Sequence, residues 1–362
     1  MSDHVQTRII KMDPLKPESG GIKEAAGIIN HGGLVVFPTE TVYGIGANAL
    51  DGKACAKIYA AKGRPSDNPL IAHVSSIEMA QEIGEIPAQY LGVLERIWPS
   101  PITLIVSARK NLPRELTAGL ETVAIRMPAH PVALALIRES GVPIAAPSAN
   151  PSKKPSATTG SQAIKYFDGK VECIIDSGAA FFGVESTIID FRNFAVLRPG
   201  PFTVEEIEEA FGMKASVGDV AHGTATTDVV VSPGTKYEHY APDTRIYLYE
   251  GKDSAALVSA VEGIEEIGRF CFIGSREMCA VMSAKFGCST IDLGKSGDLY
   301  EMAKNLYNSL IALDMLEVEF AIVEGVEERG IGLAIMNRLR KACAYRTFTN
   351  EIGLSVLLHR ID

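Results

Sequence analysis

Residues 62–70 read KGRPSDNPL. Lysine supplies a compact point charge, and arginine a planar fork that matches phosphate or carboxylate oxygens. Gly63 and Pro65 break the helix that the preceding residues predict, so Lys62 and Arg64 leave one turn together, and Asn68 adds an amide donor. Taken alone, Lys62 also fits the last turn of a helix, where a cation offsets the dipole. In FPTETVYGIG (37–46), alternation places Thr39, Thr41 and Tyr43 on one side of a strand, lining a small polar pocket. In VAIRMP (123–128), Arg126 interrupts an apolar run, where a charge needs a partner or an anionic ligand. APSANPSKKPSA (146–157) follows a buried-looking strand and offers Ser148, Asn150 and Ser156, at the strand end where open α/β sheets bind ligands. GVESTIID (183–190) contributes Ser186, LRPGP (197–201) contributes Arg198, and His73 closes the run LIAHV (70–74). The sequence contains no GxxxxGK[ST] loop, no GxGxxG after a strand, no HExxH and no nucleophile elbow.

The elements that must position these groups are short. Apolar runs at 34–37, 70–74, 102–108, 123–127, 142–147, 171–176, 186–191 and 195–200 predict strands. Helices are predicted at 52–62 after Asp51, at 131–140 from Pro131 to Gly141, and at 204–211, where Thr203 and Glu206 form a capping box before Gly212. Residues 213–241 lose periodicity and read as a linker rich in Gly, Ala, Ser and Thr. Beyond it, runs at 245–250, 269–274, 289–294 and 320–325 alternate with helical patterns, notably 298–316 with its stripe Leu299, Met302, Ala303, Leu306, Leu310 and Leu313. That alternation predicts a parallel sheet covered on both faces. The segment RGIGLAI (329–335) opens a helix with glycines, either to cradle an anion or to let the helix pack tightly on a strand.

The chain has 362 residues, 46% of them apolar, with a net charge of −9. The size suits about two domains. The charge argues against tight nonspecific binding of nucleic acid, which draws on many lysine and arginine contacts, while leaving room for a local basic pocket. Six cysteines form no CxxC pair and no zinc-finger spacing, so reduced buried thiols are expected. There is no apolar stretch of signal-peptide or transmembrane length, and a cytoplasmic location without membrane attachment is expected.

In order, FPTETVYG, KGRPSDNPL, TVAIRMPAHP, PSAN, GVESTIID and LRPGP resemble the threonylcarbamoyl-AMP synthase family, which is built on a YrdC-like domain; SPGTKYEHYAP (232–242) and ERGIGLAIMNRLRKA (328–342) resemble its longer, two-domain members. The resemblance implies an α/β protein: a YrdC-like twisted mixed sheet with flanking helices at 1–212, a linker or lid at 213–241, and a Rossmann-like parallel α/β domain at 242–362. It implies the joining of L-threonine, bicarbonate or CO2, and ATP to threonylcarbamoyl-AMP and pyrophosphate, with Mg²⁺ on the ATP phosphates and no metal ligand from the protein. It implies Lys62 and Arg64 as catalytic residues. ATP contacts would come from Arg64, Asn68, Thr122, Ser148, Asn150, Ser156, Arg198 and, from the linker, Tyr237. Threonine contacts would come from Thr41, His73, Arg126, Ser186 and the backbone of Ala146. A downstream tRNA threonylcarbamoyl transferase is the implied partner, and any direct tRNA contact would be weak. Thr235 departs from the family's usual methionine in SPGMKY. Two other readings share this domain: a carbamoyl-adenylate-forming maturation enzyme, whose zinc-binding CxxC pairs are missing here, and a binding module for double-stranded RNA or tRNA.

Overall fold

The computed structural model describes residues 5–225, 240–251, 253–264 and 268–359. Two compact units are present, the first built mainly from Met1–Ser152 and Ser156–Ala221, the second mainly from Glu238–Asp362. The first contains a mixed sheet whose strands run in the spatial order Arg8–Lys11, Cys173–Asp176, Val35–Phe37, Gly44–Asn48, Ile144–Ala145, Ile71–His73, Thr122–Arg126, Ile102–Ala108, Thr187–Asp190, Ala195–Arg198 and Ser216–Val217, with Gly84–Glu85 added beside Ile102–Ala108. Alternation decides what each face buries. Leu34 and Val36 enter a large core with Ala72, Leu104, Ile125 and Ile189, while Val35 and Phe37 point the other way, into a core shared with the helices Ser19–Asn30 and Pro131–Ser140.

Local chemistry sets the element ends. Asp51 accepts from the N–H groups of Lys53 and Ala54 and starts the helix Gly52–Lys62, which stops where Gly63 adopts φ +60°. The helix Pro131–Ser140 ends at Gly141, and Thr203 and Glu206 complete the expected capping box of Val204–Phe211. The strand expected through Thr39–Tyr43 does not form. Val35–Phe37 and Gly44–Asn48 pair antiparallel, Phe37 opposite Gly44, so residues 38–43 are the connection between them. Pro38 has no N–H for a ladder, and the Thr39 hydroxyl donates to the Val42 carbonyl at 2.6 Å, a local bond that competes with strand pairing. The stretch expected to be featureless from residue 213 is ordered at its start: Ser216–Val217 pairs in parallel with Ala195–Arg198, and a helical turn follows at Asp219–His222. Tyr237 and Thr235 lie outside the described residues.

The second unit carries a parallel sheet in the order Ser289–Gly294, Phe270–Ser275, Phe320–Glu324, Arg245–Tyr249, Thr347–Phe348. Its last strand and the helix Glu351–His359 lie beyond the elements expected from the sequence pattern. The carboxyl ends of Arg245–Tyr249 and Phe320–Glu324 open onto a cavity of about 620 Å³, where Arg340 binds Glu250 at 2.9 Å and Glu328 at 2.6 Å. Every residue of the helix Gly332–Ala342 is buried. A Cβ on Gly332 would overlap the Glu327 carbonyl, so the glycine serves close packing. All six cysteines are free thiols, five of them buried. Among the described residues no helix is long and apolar enough to cross a membrane.

Gly200 allows the chain after Ala195–Arg198 to lie against Glu185–Thr187: a Cβ there would stand 2.6 Å from the Glu185 carbonyl oxygen and nearer still to the Thr187 nitrogen. Backbone cannot give way as a flexible side chain can, so Gly200→Ala is expected to cost about 1–3 kcal/mol. The measurement is urea unfolding, with a lower midpoint at an unchanged slope.

Candidate active site

Strand register gathers the polar residues. His73 pairs with Ile144 on one side and Arg126 on the other; Arg126 pairs with Thr103, Thr103 with Ile188, and Ile188 with Arg198. Residues in register share a face and alternate residues return to it. His73, Arg126 and Thr103 therefore line one face together with Ser186, two residues before Ile188. On the same face Ile71, Ala124, Ile105 and Ile188 form a small apolar floor. Thr122 stands on this face too, at the other end of its strand and about 13 Å from Arg126.

A chain of hydrogen bonds continues from this row. Arg198 donates to the Ser186 carbonyl at 3.0 Å and to Ser186 Oγ at 3.1 Å, and Ser186 Oγ lies 2.8 Å from Thr103 Oγ1. Beside Ser186, the buried Glu185 accepts from Ser156 Oγ at 2.6 Å. Ser156 lies 3.5 Å from Asn150 Oδ1, which also accepts from Ser148 Oγ at 2.6 Å. Lys62, only 4% exposed, directs its ammonium at this turn, donating to the carbonyls of Ser148 (2.5 Å) and Asn150. Burial first, and the neighbouring Arg64 charge second, hold the Lys62 ammonium well below its usual pKa, with Glu185 acting in the opposite direction. Arg64 is half-buried and donates to the carbonyls of its own loop, Asn68 (3.3 Å) and Pro69 (3.1 Å). Asn68 is buried, and its carbonyl also accepts from Tyr59.

The connection at 38–43 closes the other flank. Glu40 pairs with Arg126 at 2.6 Å, both buried. Thr39 donates to the Val42 carbonyl, so at 2.9 Å its oxygen accepts from the Thr41 hydroxyl, leaving Thr41 Oγ1 lone pairs for another donor. Phe182 N–H donates to the Glu40 carbonyl and Gly183 N–H to the Thr41 carbonyl, while Ala149 N–H donates to the Tyr43 carbonyl. Three separate loops are thereby tied together by backbone. The Ala146 N–H is spent on the Ile71 carbonyl at 2.8 Å, so a backbone contact to a ligand there falls to its carbonyl. The Tyr43 ring turns away from Thr39 and Thr41: it is fully buried and its hydroxyl donates to the Gly178 carbonyl at 2.7 Å.

The structure thus brings Lys62, Ser148, Asn150, Ser156, Ser186 and Arg198 into one bonded chain, and sets His73 and Arg126 beside it on adjacent strands. Glu40, Thr103 and Glu185 complete the arrangement without having been singled out from sequence. Glu40 and Glu185 each neighbour a flagged hydroxyl residue, but an acid in a turn is ordinary. Thr103 is hidden inside an apolar run.

Burial, reinforced by the Arg126 charge, pushes His73 down to about 3. The unfolded chain takes up this proton below about pH 6.5, the folded chain only near pH 3. Between those values each proton favours unfolding, so stability falls as the pH drops through the window. Wild-type protein is expected to lose about 1–2 kcal/mol more than His73→Gln between pH 7 and pH 5, read from urea unfolding at the two pH values.

Comparison with known proteins converges on one family. Residues 27–200 match the family model Sua5_yciO_yrdC, described as telomere recombination, and residues 202–344 match that of the threonylcarbamoyl-AMP synthase C-terminal domain. The chain is 45% identical to the threonylcarbamoyl-AMP synthase of Pyrococcus abyssi over 334 residues, 91% of this chain and 96% of the relative. It is 42% identical to that of Bacillus subtilis over 342 residues, 92% and 96% of the two chains. The crystal structure of P. abyssi Sua5 complexed with L-threonine superposes with a TM-score of 0.86 at 43% identity, covering 95% of this chain and 99% of that one. With such identity sustained across both units, the chain belongs to the threonylcarbamoyl-AMP synthase family.

Proposed function

We propose that this enzyme condenses L-threonine, a carbon unit from bicarbonate or CO2, and ATP into threonylcarbamoyl-AMP and pyrophosphate. The observation that carries the reading is the juxtaposition of the Lys62-to-Arg198 chain, rich in cations and short donors, with the Glu40–Arg126 pair, the two meeting through Ser186 and Thr103. The first suits a triphosphate and the second an amino acid. Arg126 binds the threonine carboxylate, and Thr41 accepts from its hydroxyl. Specificity over valine follows, because an isostere without the hydroxyl leaves a buried polar group unpaired. Arg64, Asn68, Arg198, Ser148, Asn150, Ser156 and Thr122 engage the nucleotide, and Tyr237 is assigned there from sequence alone. Lys62 brings positive charge to the turn it holds.

The amine becomes a carbamate, and one carbamate oxygen attacks the α-phosphorus of ATP. The new O–P bond forms as the bond to the β-phosphate oxygen breaks, and pyrophosphate leaves with that electron pair. The attacking oxygen is already anionic, so this step needs no general base; positioning and charge stabilisation remain, as in other phosphoryl transfers. Among the described residues no three His, Cys, Asp or Glu side chains gather as a metal cage. The cationic and neutral donors around Lys62 fit an ion that arrives chelated by phosphate oxygens. Mg²⁺ on the triphosphate would withdraw charge from the leaving group. The product is a reactive anhydride, which is consumed by a transferase acting on tRNA in the cytoplasm.

Pyrophosphate release from ATP is expected only when threonine and bicarbonate are both present. Release driven by carbamoyl phosphate instead would identify a carbamoyl-adenylate enzyme. Arg64→Ala is expected to lower turnover at least about tenfold, since one charge-assisted hydrogen bond contributes about 1.5–3 kcal/mol, with the unfolding midpoint retained. Full activity in that variant removes the phosphate assignment.

A further inference from the structure

Glu40 and Arg126 form their ion pair with side-chain exposures of 8% and 5%. Each uses only part of its capacity, for Glu40 Oε2 and Arg126 Nε are both buried without a hydrogen-bond partner. A buried ion pair with a purely structural task is best served by two parallel bonds that satisfy both edges. Here one contact is made, and a negative acceptor and a positive donor are left over on adjoining groups. They lie beside the face that carries His73, Thr103 and Ser186. An α-amino acid zwitterion presents the complementary pair, a carboxylate and an ammonium on one carbon.

We propose that Glu40 binds and deprotonates the α-ammonium of the amino-acid substrate through Oε2, while Arg126 Nε takes the carboxylate. This rests on the reading above that the substrate is threonine. One ammonium proton passes to Glu40, giving a neutral amine and a protonated carboxyl. The nitrogen lone pair forms the new C–N bond to the carbon of hydrogencarbonate. The hydroxyl of that carbon leaves as water, carrying a second proton from nitrogen. The carbamate keeps one N–H and the single negative charge, and Glu40 returns its proton to solvent with product release.

The other titratable groups nearby are occupied. His73 Nδ1 lies 3.2 Å from the Ile71 carbonyl, and burial together with Arg126 leaves the ring a feeble base. His130 Nδ1 accepts from Val132 N–H at 3.2 Å, capping the helix Pro131–Ser140. Glu40 therefore offers the unspent acceptor.

The test compares L-threonine with 3-hydroxybutyrate, which keeps the carboxylate and hydroxyl and lacks the amine. By titration calorimetry, wild type is expected to favour threonine at least about tenfold. Glu40→Gln should bring the two ligands within about threefold, leaving 3-hydroxybutyrate and ATP affinities unchanged. Its threonine-dependent pyrophosphate release should fall about a hundredfold at pH 7, the usual range for loss of an acid–base group. Turnover should recover at least about tenfold by pH 9, as more threonine carries a free amine. A retained preference for threonine, or a parallel loss of both ligands from a mere prop for Arg126, overturns the proposal. So does turnover that pH does not restore. Should Glu40→Gln fail to fold, Glu40→Asp keeps the charge but shortens the reach. Threonine affinity must then drop alone, and a parallel drop overturns the proposal equally. A wild type that neither binds threonine nor releases pyrophosphate with it overturns the functional reading itself, whatever Glu40 does.

Discussion

A slip of one residue in the pairing of Ile71–His73 with Thr122–Arg126 would turn one strand over against the other, sending either His73 or Arg126 toward the core that holds Ala72 and Ile125. A polar side chain would enter an apolar layer, and an apolar one would take its place on the face of Thr103 and Ser186. The register is held because the wrong one is costly on both faces at once. The polar row of His73, Arg126, Thr103 and Ser186 inherits its position from that alternation. The apolar floor of Ile71, Ala124, Ile105 and Ile188 is the same alternation two residues further along.

Lys62 shows how local structure is spent on chemistry. A buried ammonium is costly unless its donors are met, and the carbonyls of Ser148 and Asn150 meet them. Those carbonyls converge because the Ser148–Asn150 turn is itself fixed, through Ser148 Oγ on Asn150 Oδ1 and Ala149 N–H on the Tyr43 carbonyl. The helix Gly52–Lys62 ends one residue later at Gly63, which releases the chain toward Arg64 while its final side chain stays inside. Charge, turn and helix end form one device, and none of the three has a purpose alone.

Much of this was legible in the sequence. Apolar runs gave the strand positions, and capping chemistry at Asp51, Thr203 and Glu206 gave helix starts. The ordered motifs gave the family. The misreadings share a cause. Alternation through 37–46 looked like one strand because side-chain periodicity cannot see that Pro38 and the Thr39 hydroxyl turn the chain. Ser216–Val217 carries no strand pattern of its own and exists through its pairing with Ala195–Arg198. Glu40 and Glu185 escaped notice because what distinguishes them is who stands opposite: Arg126 lies 86 positions from Glu40, and Ser156 29 from Glu185.

In the row His73, Arg126, Thr103, Ile188 and Arg198, the last two come from neighbouring antiparallel strands, but the pairs His73–Arg126 and Thr103–Ile188 are parallel and no hairpin can nucleate them. Such non-local pairing is slow to form, because the loop-closure entropy comes before the contacts that reward it. A small molecule bridging those strands recognises the completed sheet alone, and by mass action it withdraws chains from the unfolded pool in proportion to its own concentration. A ligand held across the row would then add to the stability of the very sheet that positions it.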